Sequence, residues 1–236
     1  MNWLKTFLTS TIGQKVIMAL SGAALVLFVI AHMVGNLQIF IPDGGEAIND
    51  YAELLHSNMG LLWVARIGLI AAVFAHIASA YSLTKRSRAA RPVNYSEKIW
   101  MGNDYAARTM RWGGVIVLAF VVYHLLHLTL GVADDSVRLC EEVNGEMTCY
   151  VRDNVIGGFQ NIFIAGFYII AQVALGFHIA HGIWSACRTV GLNNPRFDKL
   201  ARTGALGLAW FITLGNISIP LAVQFETLTA IQIFTP

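Results

Sequence analysis

Charge is what this chain has least of. Only 13% of its 236 residues are Asp, Glu, Lys or Arg and 56% are apolar, where a soluble domain carries about 25% charge. That excludes an ordinary water-soluble globule. Carboxylates are missing from the depth of every long apolar run, which argues against an ion pathway built on acidic side chains. Room for a separate soluble domain is missing too. Five runs almost free of charge, at 16–41, 61–83, 112–132, 159–187 and 203–225, take up more than half the chain. Each is long enough to cross the roughly 30 Å hydrocarbon core, so catalysis on a water-soluble substrate must lie on another polypeptide. The first run is too long for a signal peptide and no small-residue cleavage site follows it. With no internal repeat and no low-complexity tract, residues 1–236 read as one all-α domain, an integral membrane bundle of five transmembrane helices.

The near-zero net charge of +2 hides a strong polarity. Lys5 and Lys15 precede the first span, Lys85, Arg86, Arg88, Arg91, Lys98, Arg108 and Arg111 separate the second from the third, and Arg188, Arg196, Lys199 and Arg202 separate the fourth from the fifth. The opposite loops are acidic, with Asp43, Glu46, Asp50 and Glu53 in one and Asp134, Asp135, Glu141, Glu142, Glu146 and Asp153 in the other. The positive-inside rule then predicts a cytoplasmic N-terminus, an outside C-terminus and a multi-pass protein of the cell membrane. Its basic face suits anionic lipid or an acidic protein partner, and no nucleic-acid partner is expected. Cys140 and Cys149 fall in the outer loop, where disulfides persist, and are expected to pair, leaving Cys187 free at the inner end of span four. Asp43-Gly44-Gly45 predicts a turn. The stretch that follows predicts a surface helix over 46–57 with Ile48, Tyr51, Leu54 and Leu55 on one side. Residues 85–111 are expected to be partly extended around Pro92. Trp63 and Trp112 read as interfacial anchors, Trp184 and Trp210 as packing, Asn216 and Pro220 as the site of a kink, and Glu226 as solvated.

Six of the seven histidines fall inside the spans: His32, His76, His124, His127, His178 and His181. Ionisable groups at membrane depth are costly and normally face the bundle interior with a function. At 1.5 Å per residue from the cytoplasmic edge, His32 and His124 stand about 24 and 18 Å up, and His76 and His178 about 10 and 12 Å up. Four helices therefore supply histidines in two layers roughly 10 Å apart, as two stacked haems would need, paired as His32 with His124 and His76 with His178. Bis-histidine ligation leaves no open iron site and suits electron transfer. His127 and His181 lie three residues after a proposed ligand on nearly the same face, so spacing leaves them as rivals. Gly182, one turn beyond His178, offers a porphyrin close approach, and Gly131 does the same for His127. A lone membrane histidine also serves as a helix-to-helix hydrogen bond; four helices in two height classes weigh against that for the set. Arg66, about 25 Å up, suits a haem propionate or a quinone carbonyl, or it snorkels to headgroups. Lys85, Arg108, Arg111 and Arg188 are placed to meet propionates of the inner haem or lipid.

The order of these features resembles the diheme cytochrome b anchor of succinate:quinone oxidoreductases, the type with one large five-span anchor subunit. The residues that carry the resemblance are Ile12-Gly13-Gln14-Lys15, Met18-Ala19-Leu20-Ser21-Gly22, His32 with Gly35-Asn36, and Glu46, Asn49, Tyr51 and Ala52. They continue through His76, residues 89–95, Arg108-Thr109-Met110-Arg111-Trp112, Tyr123-His124, Phe177-His178 and Gly182-Ile183-Trp184-Ser185. The resemblance covers essentially the whole chain. It implies a succinate dehydrogenase or fumarate reductase whose flavoprotein (FAD) and iron–sulfur subunits sit on the cytoplasmic face. Electrons would pass through the inner and outer b haems to menaquinone, or in reverse. It also implies His32, His76, His124 and His178 as the axial ligands, with His127 and His181 as neighbours. A carboxylate near the outer haem binds quinone in such relatives; Glu53 is the nearest match, with Asp50 and His56 as rivals. The chain departs from the pattern in its long outer loop 133–158 and at Gly176, where some relatives carry an acid proposed for proton movement; a compensating proton route is therefore not carried over. The alternatives are the haem b subunit of a formate dehydrogenase or hydrogenase, against which one ligand on each of four helices argues, and a histidine-containing transporter.

Overall fold

A computed structural model describes residues 2–90, 93, 105–135, 137–192 and 194–234. The expected extended stretch around Pro92, with Arg91 and Lys98, lies outside the described residues, as does the side chain of Arg108. A short helix α1 (Trp3–Thr9) turns at Ser10 into α2 (Thr11–Asn36), where the Ser10 hydroxyl accepts the Gly13 N–H at 2.9 Å. A tight 3₁₀ turn (Leu37–Phe40) leads to α3 (Glu46–Ser57) and α4 (Met59–Ala89), which Asn58 caps through the Leu61 N–H. Helix α5 (Tyr105–His124) runs on into a single π turn (Leu125–Thr129), closed by the Leu130 N–H on the Leu125 carbonyl. A two-stranded hairpin follows, β1 (Glu141–Val143) paired antiparallel with β2 (Glu146–Thr148), then α6 (Val151–Gln160), α7 (Ile162–Thr189) and α8 (Pro195–Thr229).

Five of these helices are long and apolar enough to cross a membrane. Their ends differ from the uncharged runs because hydrogen-bonded caps, not apolarity, terminate a helix. The fourth run was expected to begin at 159, yet the Asn161 side chain accepts the Phe163 N–H and starts α7 there, so Phe159 belongs to α6 and points into the core. The fifth helix begins eight residues before the apolar run, at Pro195, capped by Asn194; Pro fits the first turn, where its missing N–H costs nothing. Helix α8 continues through the buried Pro220.

Successive long helices run antiparallel: α2 packs along α4, α5 along α7, and α7 along α8, with α2 also touching α7 and α8. Large side chains such as Ile70, Phe74, Val115 and Leu214 point outward, the arrangement of a bundle whose surroundings are as apolar as its centre. Small residues set the closest approach. A Cβ at Gly176 would collide with the Thr213 hydroxyl, which is itself held by the Ala209 carbonyl at 2.8 Å. The space beside Gly176 is thus filled from α8.

The acidic end carries a cap made of α3, the hairpin and α6. Cys140 and Cys149 are bridged, with Cα atoms 4.2 Å apart, and Cys187 is free. The disulfide takes both sulfurs, so the cluster of His56, Cys140 and Cys149 offers no thiolate to a metal. Helix α3 faces inward through Ile48 and Ala52, while Leu54 and Leu55 are 68% and 45% exposed. The helix has the expected bounds, Glu46–Ser57, and the exposed Leu54 and Leu55 leave an apolar side for the outer interface. Glu226 is half-buried and not simply solvated: its carboxylate accepts the Ile233 and Phe234 N–H groups. The hydroxyl of Tyr150 donates to Glu141 at 3.0 Å, and that carboxylate raises its pKa above the ordinary tyrosine value.

Two outcomes follow from this packing. Gly176→Val, which forces α7 off α8, is expected to cost about 1–3 kcal/mol, read as a lower unfolding temperature of the purified protein. Maleimide titration of the denatured chain should count one thiol without reductant and three after reduction.

Candidate functional site

The two histidine levels are built from both helix pairs. At the level nearer the acidic end, His32 of α2 and His124 of α5 face each other with ring centroids 5.8 Å apart and planes at 83°. Each imidazole is steered by an aromatic one turn earlier on its own helix: Phe28 stacks on His32 at 5.5 Å and Phe120 on His124 at 5.7 Å. At the other level His76 of α4 faces His178 of α7 with centroids 6.2 Å apart and planes at 59°. Among the described residues α2 does not pack along α5, nor α4 along α7, so each ring pair joins two helices that are not otherwise in close contact.

The ring nitrogens are unequally used. His76 Nδ1 donates to the Met18 carbonyl at 3.1 Å, with the Ser21 hydroxyl at 3.4 Å, and a Cβ at Gly22 would stand 3.2 Å from His76 Cε1. His178 Nδ1 is buried without a hydrogen bond, and Gly114 lies beside its ring. His124 Nδ1 lies 3.3 Å from the Tyr168 hydroxyl. His32 makes ring contacts and no hydrogen bond among the described residues. A histidine whose Nδ1 is bonded to a carbonyl or hydroxyl presents the other nitrogen as a ligand.

Because His76 sits against Gly22 and His178 beside Gly114, the second level meets α2 and α5 ten residues below His32 and His124. At 1.5 Å per residue that is about 15 Å on both helices. The expected spacing of roughly 10 Å was too short, since heights taken from the ends of apolar runs ignore how far each helix extends beyond them.

The rivals are placed differently from the pairs. His127 is fully buried, its Nδ1 2.9 Å from the Tyr168 hydroxyl and its Nε2 3.6 Å from the Asp134 carboxylate. Gly158 closes over its ring. His181 packs edge-on against Trp184. Gly131 is a turn glycine at φ +64, the left-handed region that ends helices, and Gly182 faces the Met110 methyl at ordinary contact distance.

The charged candidates are spread along the bundle. Arg66 is half-buried, its guanidinium 5.3 Å from the centre of the Trp63 ring. Arg188 lies 3.9 Å from Asp198 and over Trp184. With Lys15, Met18 and Ser185 it lines a cleft of about 500 Å³ at the basic end, beside the residue whose carbonyl holds His76. Glu53 is half-buried under the hairpin, its Oε1 accepting the Cys149 N–H at 3.2 Å. Of its rivals, Asp50 is exposed, and His56 donates to the Ala52 carbonyl at 2.8 Å.

Tyr168 and Asp134 were not singled out in the sequence. A phenol deep in an apolar run was the available signal for Tyr168; the π turn that brings Asp134 toward His127 has none. No family model, curated protein or solved structure matches this chain.

Proposed function

We propose that the chain is the membrane anchor and electron-transfer subunit of a succinate:quinone oxidoreductase, holding two b haems, one between His32 and His124 and one between His76 and His178. The facing imidazoles repeated at two levels carry this reading. A metal bonded at about 2.0–2.1 Å to a nitrogen of each of two imidazoles requires ring centres roughly 6 Å apart. The observed centroid separations are 5.8 and 6.2 Å, between helices that are not otherwise in close contact. The orphaned His178 Nδ1 and the glycines beside His76 and His178 fit a site meant to receive a planar group.

When bound, haem supplies a reversible one-electron carrier. His32 with His124, and His76 with His178, would each hold one haem through two imidazoles, which would leave its iron no site for oxygen. The Met18 carbonyl fixes the His76 proton on Nδ1 and leaves Nε2 as the donor atom. Lys15 and Arg188, lining the cleft beside Met18, supply positive charge for the carboxylates of the lower group, and Arg66 supplies it at the upper level. Glu53 Oε1 is engaged by the Cys149 N–H, so Oε2 is the atom assigned to hold the proton exchanged with menaquinone. The basic end, with Lys85, Arg86, Arg88, Arg196 and Lys199 exposed or half-buried, is assigned to the cytoplasmic side, where the iron–sulfur and flavoprotein subunits would dock and carry the dicarboxylate chemistry. The apolar outward faces are assigned to membrane lipid.

In the complex purified from membranes, His124→Ala is expected to lose one of two haems, whereas His127→Ala retains both. The reverse pattern would overturn the ligand assignment. Co-purification with a flavoprotein that lacks succinate dehydrogenase activity would overturn the enzyme assignment.

A further inference from the structure

The two histidines of α5 are joined by one hydroxyl. Tyr168 reaches from α7 to lie 2.9 Å from His127 Nδ1 and 3.3 Å from His124 Nδ1. Beyond His127, Nε2 faces the Asp134 carboxylate at 3.6 Å. The π turn over Leu125–Thr129 follows His124, contains His127 and leads into the loop that carries Asp134, a local widening of the helix often found at functional positions. Tyr123 stacks on the far side of the His127 ring, and Tyr168 is wedged edge-on between Phe120 and Phe159. The four polar groups therefore form a line from the cap to the upper histidine pair.

A neutral imidazole has one N–H and one lone pair, and a hydroxyl donates once. A carboxylate accepts only and repels a lone pair, so its approach at 3.6 Å, longer than a hydrogen bond, favours an N–H on the otherwise unpartnered His127 Nε2 through charge alone. His127 Nδ1 is then a lone pair and takes the Tyr168 proton. The Tyr168 oxygen, having donated, accepts from His124, which places the His124 proton on Nδ1 and leaves Nε2 bare. The opposite order would satisfy both Tyr168 contacts but turn the His127 Nε2 lone pair toward the Asp134 carboxylate.

We propose that Tyr168 is a positioning residue that relays the polarity of Asp134 through His127 to His124, fixing His124 in the tautomer whose Nε2 lone pair is free for a metal. This rests on the haem reading above and extends it: His127 is neither a rival ligand nor a passive neighbour, and an acidic residue of the cap tunes the upper site and not the lower one. An imidazole that donates its second N–H to an acceptor is the more basic ligand and favours the oxidised metal. Loss of that acceptor raises the midpoint potential of the site.

The test is a redox titration of the two b-type transitions in the intact complex, comparing wild type with Tyr168→Phe and Asp134→Asn. Phe preserves the ring packing, and the Asp134 change lies at the cap, so the second variant decides should the first fail to assemble. One transition is expected to move upward in each variant while the other stays fixed. Two unmoved transitions, or two that move together, would overturn the proposal. Histidine ¹⁵N spectra read the tautomer whether or not haem is present. A protonated Nδ1 on His124 that is lost in Tyr168→Phe supports the relay, and a protonated Nε2 in wild type overturns it. A wild-type chain without haem overturns the functional reading alone and leaves the tautomer to decide this one.

Discussion

An imidazole carries two ring nitrogens, and in the middle of an apolar bundle there is little water to satisfy either. Leaving a buried polar atom without a partner costs about 1–3 kcal/mol, and the cost recurs on four helices here. The chain meets part of it with its own groups. The Met18 carbonyl takes one proton and the Tyr168 hydroxyl serves two rings. The rings of His32 and His124, and those of His76 and His178, are turned toward each other, and His178 Nδ1 stays buried without a hydrogen bond. The proposed haems would take up the facing nitrogens of both pairs.

The rest of the fold supports that arrangement. Aromatic neighbours one turn below His32 and His124 hold their rings toward each other. Gly176 brings α8 against α7 and gives the bundle a tightly packed side opposite α4. The disulfide-bridged hairpin, tied to α3 through Glu53, and α6, tied to the C-terminal segment through Arg152 and Phe234, cover the acidic end. Among the described residues the basic end carries a cleft flanked by Lys15 and Arg188.

Much of this was legible in the amino-acid order because two strong signals do not depend on local detail. Long uncharged runs locate the helices crossing the core, and the fixed rise of a helix turns histidine numbers into levels. His32 falls beside His124 and His76 beside His178 for that reason. Helix ends were less legible, since Asn161 and Asn194 act through hydrogen bonds that hydropathy does not register. The spacing of the levels inherited that error. Nothing in the order of residues announced the π turn, and with it the contact between Asp134 and His127 was hidden.

The central claim is that two metal-bearing groups sit between these four histidines, and the haem-to-chain ratio tests it most directly. A pyridine haemochrome assay on the purified, membrane-extracted protein should give two b haems per chain, and a ratio of one or none would contradict the account.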